Sequence, residues 1–170
     1  MEVDGAMFSR EVKNFMCNYM QHVDTGYPKH SGEIQSFSPG LIASDPKTPP
    51  AVLELFLISS DTGIIEKAAG NPSLPVDALT ELSQHYDPAV KEAVIDNCHT
   101  PKEVLLALAA DPDPDIRYYL AESHNVDDEV ILLLCDDENP YVAARANQTW
   151  CRVSQEMHRR LTKKEEEISI

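Results

Sequence analysis

Three aspartates, each two residues from the next, are the first hint of chemistry in this chain. Asp111, Asp113 and Asp115 stand in "DPDPDIRYYLAES", and Glu122 follows eleven residues after Asp111. Carboxylates at the first, third and fifth positions of a loop, with a glutamate at the twelfth, are the oxygen ligands of an EF-hand calcium site. Such a loop also needs glycine at its sixth position, where the chain turns sharply. Here that position is Ile116. Other reactive side chains form no recognisable set. Cys17, Cys98, Cys135 and Cys151 are too far apart for a CxxC pair, so zinc and iron–sulfur clusters have little support. The sequence holds no HExxH, no GxSxG elbow and no glycine-rich phosphate loop. Its carboxylates are too numerous to single out an acid–base pair. No metal, cofactor or catalytic residue is therefore expected.

The elements that would position these aspartates decide what they are. "DPAV" at 87–90, "DPDI" at 113–116 and "NPYV" at 139–142 are spaced by 26 residues, and "DTGI" at 61–64 lies one step earlier. Other columns keep the period: Leu53, Leu79, Leu105 and Ile131; Phe56, Leu82, Leu108 and Leu134; Ile64, Val90, Ile116 and Val142; Ala68, Val94, Leu120 and Ala146. Four units follow without a gap, 45–70, 71–96, 97–122 and 123–148. Each reads as two short helices. The first begins at Pro49, Pro75 or Pro101 as the first helical residue, with Thr48 and Thr100 as caps. The second begins at the Asp-Pro or Asn-Pro step, where the side chain accepts from the first free amides and proline sets the first turn. No strand alternation is present. A unit this small cannot bury its apolar face alone, so the units must stack. In this register Asp113 is a helix cap equivalent to Asp87 and Asn139, and Ile116 is a core residue. Cys98, His99 and His124 fall in corresponding loops of neighbouring units, the closest the chain comes to a ligand set.

The unit resembles the leucine-rich repeat variant, a HEAT-like repeat family, whose pattern "NP..P...L..LA.DP...VR..VA" is legible in "NCHTPKEVLLALAADPDPDIRYYLAES" and in "NPSLPVDALTELSQHYDPAVKEAVID". The likeness spans residues 45–148. It implies an all-α, right-handed α-solenoid of four 26-residue, two-helix repeats, and it implies no catalytic residues. Arg117 matches the arginine of that pattern and Lys91 is a conservative departure, whereas Ile65 and Ala143 depart outright.

Helical caps are expected at both ends. Residues 8–23 place Phe8, Val12, Phe15, Met16, Tyr19, Met20 and Val23 on one helical stripe, with Ser9 able to cap its start. This stripe covers the first repeat or, on a second reading, docks on a partner or on another copy. Residues 24–44, with Gly26, Pro28, Gly32, Pro39 and Gly40, read as a loop or extended linker. Residues 1–44 thus form an N-terminal helix and linker. Residues 149–170 form a closing helix, in which Trp150, Val153, Met157 and Leu161 cover the last unit, and a frayed charged tail.

Charge bounds the partners. The chain carries 14 Lys or Arg against 29 Asp or Glu, a formal net of −15. Such a surface repels nucleic acid and anionic lipid and suits a basic protein. No apolar run approaches the ~18 residues of a membrane span, and "MEVDGAMFSREVKNF" lacks a secretory pattern. Widely spaced free thiols suit a reducing cytoplasm. Within 45–148 there are 20 carboxylates and only six Lys or Arg. Four of the six, Lys67, Lys91, Arg117 and Arg145, fall on the second helices, where Tyr118 and Tyr141 also lie outside the core columns. Stacking would line Lys91, Arg117, Tyr118, Tyr141 and Arg145 into a ladder that either forms ion pairs between units or contacts a partner. Substituting Arg117 and Tyr118 should then cost little stability. The expected function is a non-enzymatic protein–protein interaction scaffold. An acidic nucleic-acid mimic that occupies a basic site on another protein is the alternative, and a HEAT-like enzyme acting on nucleic acid is disfavoured by the missing basic groove.

Overall fold

In a computed structural model of the chain, which describes residues 39–123 and 126–168, every described element is a helix. The expected N-terminal helix at 8–23 lies outside the described residues. The described helices are α1 (Pro39–Ser44), α2 (Pro50–Phe56), α3 (Thr62–Ala69), α4 (Val76–Leu82), α5 (Pro88–Asp96), α6 (Lys102–Leu108), α7 (Pro114–Glu122), α8 (Asp128–Leu134) and α9 (Pro140–Ile168). The chain divides into two compact units, Met1–His99 and Thr100–Ile170.

The 26-residue period reappears in the helix starts. In the first unit α2 and α4 begin 26 residues apart, and in the second unit α6 and α8 do the same. All four apolar columns read from the sequence are buried, with no member more than 7% exposed. Within the first unit α1 packs on α3 and α3 on α5, and within the second α7 packs on α9. Each short helix therefore gains its stability from an apolar stripe pressed on its neighbours rather than from its own length, since isolated helices of this size are marginal in water.

The helix ends follow local chemistry. Asp61, Asp87 and Asp113 are extended at the caps of α3, α5 and α7, and each accepts from the amide two residues on. The first helices of each pair start differently from expectation. Pro49, Pro75 and Pro101 are caps rather than first helical residues, with φ near −65° and ψ near 150°, and none of these caps is a side-chain hydrogen bond. Thr48 is accordingly no cap: its Oγ1 donates to the Ile42 carbonyl at 2.6 Å. A proline ring holds φ where an extended cap also needs it, so the ring can sit one residue earlier.

Two flank expectations change. The linker read over 24–44 ends in helix α1, because Ile42 and Ala43 are buried and Ser44 Oγ donates back to the Gly40 carbonyl. Packing of second helices thus starts before residue 45. At the other end the closing helix is not separate: α9 runs unbroken for 29 residues, Pro140–Ile168. Nothing after Pro140 in this stretch is a glycine or proline that would stop it.

A buried polar column binds successive turns in the first unit. Asn71 Nδ2 donates to the carbonyls of Ala43 and Asp45, at 2.7 and 2.8 Å. Asn97 Nδ2 repeats this one period later, donating to Ala69 and Asn71 at 2.7 and 2.9 Å. Each Oδ1 accepts from the amide two residues on, Ser73 and His99 respectively. Both side chains are almost fully buried, and three bonds each remove the cost of burying an amide. In the second unit Thr149 takes the same register, its Oγ1 donating to the Ala121 carbonyl at 2.8 Å.

Candidate functional site

The loops between paired helices hold the aspartates that resembled a calcium site. In each, two side chains two residues apart accept from the backbone amide two residues ahead of each. Ser59 Oγ accepts from Asp61, and Asp61 Oδ1 from Gly63. His85 Nδ1 accepts from Asp87, and Asp87 Oδ1 from Ala89. Asp111 Oδ1 accepts from Asp113, and Asp113 Oδ1 from Asp115, both at 2.9 Å. Asp137 Oδ1 accepts from Asn139, and Asn139 Oδ1 from Tyr141. The spacing of Asp111, Asp113 and Asp115 is thus a relay of turns that lifts the chain out of one helix and caps the next. Glu122 stands at the far end of α7, paired with Arg145 of α9.

Arg117 joins two of these relays within the second unit. Its Nε and Nη2 donate to the two carboxylate oxygens of Asp137 at 2.8 and 3.1 Å, and Nη1 donates to the Asp111 carbonyl at 2.7 Å. The side chains of Arg117 and Asp137 are 8% and 6% exposed. Glu138 adds a longer ionic contact. The Arg117 hydrogen bonds, reinforced by the amide of Asn139, hold the Asp137 carboxyl below the usual carboxylate range against the opposing effect of burial. The same bonds raise Arg117 above its ordinary value. With Ala109, Ala110 and Pro112 the pair lines a recess of about 280 Å³.

Of the two alternatives read for the ladder, Arg117 takes the ion pair between successive repeats, and its burial corrects the expectation that it could be cut away cheaply. It is an internal tie, and the sequence missed its partner because Asp137 lies 20 residues away in the next loop. The other ladder residues are distributed as follows. Lys91, on α5 of the first unit, is half-buried. In the second unit Tyr118 is 38% and Tyr141 77% exposed. Arg145 is half-buried, donating to Glu122 and, at 3.5 Å, to Gln148 Oε1, while its Nε is buried without a hydrogen-bond partner.

Remaining reactive groups sit apart. Cys98 and His99 are exposed and adjacent, Sγ to Nδ1 3.5 Å, and His124 lies outside the described residues. Burial pushes the Cys135 thiol up, away from the reactive thiolate. Burial, with Asp96, Glu66 and Asp87 nearby, also raises the Glu92 carboxyl on α5.

Two features escaped the sequence reading. One is the Asn71–Asn97 column, whose signal was present as two asparagines 26 residues apart. The other is a pair of exposed leucines on α8, Leu132 at 46% and Leu133 at 54%. Comparison of the chain with family models, curated proteins and solved structures finds no match.

Proposed function

We propose that the chain is a non-enzymatic protein-binding scaffold built on a small, acidic, right-handed α-solenoid of two-helix repeats. The observation that carries this reading is the exposure of Tyr118 and Tyr141 on α7 and α9, the second helices of the second unit. Tyrosines bury large area at low entropic cost, and they dominate protein interfaces where they stand on rigid elements. Arg145 of α9 is the basic group that completes the proposed contact set within the second unit. Tyr86 of the first unit, 81% exposed beside the His85 ring, adds a further aromatic surface. A protein partner, not nucleic acid or lipid, suits a net charge of −15.

The experiment compares the full chain with a Tyr118→Ala, Tyr141→Ala variant as baits, partners being identified by mass spectrometry and binding titrated. Tyr141 is 77% and Tyr118 38% exposed and neither belongs to an apolar column, so the variant should stay folded with a modestly lower melting temperature while losing roughly tenfold or more in affinity. Unchanged partner binding by the variant would overturn this contact face. A second reading, the acidic mimic, is favoured by the exposed run Asp127, Asp128 and Glu129. It requires affinity that collapses with added salt and survives loss of the tyrosines.

A further inference from the structure

We propose that the outward face of α8 is a docking surface for a basic amphipathic segment of a partner protein. This goes beyond the tyrosine surface, and it rests on the scaffold reading only in assuming a protein partner. The helix buries Val130, Ile131 and Leu134 and turns Glu129, Leu132 and Leu133 outward. Spacings of three and four place these three on one face, and exposed Asp136 follows in the next turn. The stripe therefore reads acid, leucine, leucine, acid. The fold does not demand those leucines. The register-equivalent residues on α4 are Thr80 and Glu81, both exposed. Glu54 and Leu55 on α2, and Leu106 and Ala107 on α6, also fall short of two large aliphatic side chains.

Charge complementarity selects the occupant. Beside the first turn of α8 an open recess of about 430 Å³ is lined by Lys102, Val126, Asp127, Asp128 and Glu129. Lys102 ion-pairs with Glu129, whose hydrogen bond raises the lysine's pKa. Three carboxylates against one ammonium leave this recess acidic. Asp136 and Glu138, both exposed, give the other end of the helix the same sign. A partner helix with apolar side chains for Leu132 and Leu133, flanked by lysine or arginine, matches both features. An acidic segment misses the charge and a wholly polar one misses the leucines.

The test uses the full chain and three labelled 18-residue peptides, read by fluorescence anisotropy at two salt concentrations. One is a Leu/Lys amphipathic helix, one a Ser/Lys peptide of equal charge, and one a Leu/Glu helix. The Leu/Lys peptide should bind, and Leu132→Ser with Leu133→Ser should weaken it about tenfold or more. Asp127→Lys with Asp128→Lys should also weaken it, more at low salt than at high. Circular dichroism checks that each variant folds, and the charge variant tests the surface independently of the leucines. Absence of Leu/Lys binding, equal binding of the Ser/Lys peptide, or unchanged binding by both variants would overturn the proposal. So would sedimentation showing a dimer of the chain that the leucine variant dissolves, since the occupant would then be a second copy. None of these results touches Tyr118 or Tyr141, so the scaffold reading fails or survives by its own experiment.

Discussion

Removing the Arg117 guanidinium should unfold the second unit far more readily than the loss of a surface cation would. Arg117→Ala deletes two hydrogen bonds to Asp137 and one to the Asp111 carbonyl. It leaves a carboxylate whose side chain is only 6% exposed without its counter-charge. Breaking a buried pair this way costs about 3–5 kcal/mol, most of it the stranded charge. Asp137 keeps the Asn139 amide, and truncation opens the recess to water, so the lower end, about 3 kcal/mol, is expected. Asp137→Asn preserves an acceptor for that amide, and the double variant should recover much of the loss. The assay is urea unfolding followed by Trp150, the only tryptophan of the chain and part of the second unit. Acidity gives a second readout. The Asp137 carboxyl is depressed in the folded state, chiefly by Arg117. Its stabilisation is therefore present above the unfolded value, roughly pH 4, and is lost as pH falls through the folded one. The Arg117→Ala protein should lack this component of acid sensitivity. A loss below about 1 kcal/mol at neutral pH, the range of exposed pairs, would refute the argument.

Further outcomes are expected from the polar column and from the caps. Asn97→Leu strands the carbonyls of Ala69 and Asn71 and removes three hydrogen bonds. It should cost about 2–3 kcal/mol in chemical denaturation, and a change within experimental error would deny the column a structural role. Asp113→Ala removes the cap of α7 and should cost about 0.5–2 kcal/mol. Calcium should leave the melting temperature of the parent chain unchanged; a calcium-dependent rise that the variant abolishes would restore the metal reading.

The helical architecture was legible because its signal is redundant. Four apolar columns and an Asp-Pro or Asn-Pro step repeat together, so the departures of Ile65 and Ala143 from the basic position do not obscure the period. The second-helix caps were legible for the same reason. The starts of the first helices were not, since proline at the cap and proline at the first helical position impose the same φ. Helix α1 was hidden by its glycine and proline content, although Gly40 lies where the Lys67 side chain crosses α1 and an added Cβ would come within 2.9 Å of its Nζ. The burial of Arg117 and the identity of its partner were illegible for a different reason. Periodicity shows that a position lies outside the apolar columns, but a long cation can still reach inward when a carboxylate in the next loop receives it. Exposure on α8 was equally hidden, because "VILLL" satisfies a buried stripe and leaves two leucines over.

The aspartates that first suggested a metal show why recurrence decides more than spacing. A cation loop and a run of Asx turns both need an oxygen every second residue, the first so that ligands converge on an ion, the second so that each oxygen meets an amide two residues on. One loop alone cannot tell them apart. The column one step before the caps can, because it holds Ser59, His85, Asp111 and Asp137. A hydroxyl, an imidazole and two carboxylates share no common charge and no preference for a hard cation. They share an atom able to accept from a backbone N–H, and in every described case that is what the atom does. Where the acceptor is also a carboxylate, as at Asp137, Oδ1 takes both the Asn139 amide and Arg117 Nη2, and the second oxygen adds the shorter bond to Arg117 Nε. The negative charge of these loops thus begins as backbone chemistry, and the buried ion pair is completed by an oxygen that the turn itself did not require.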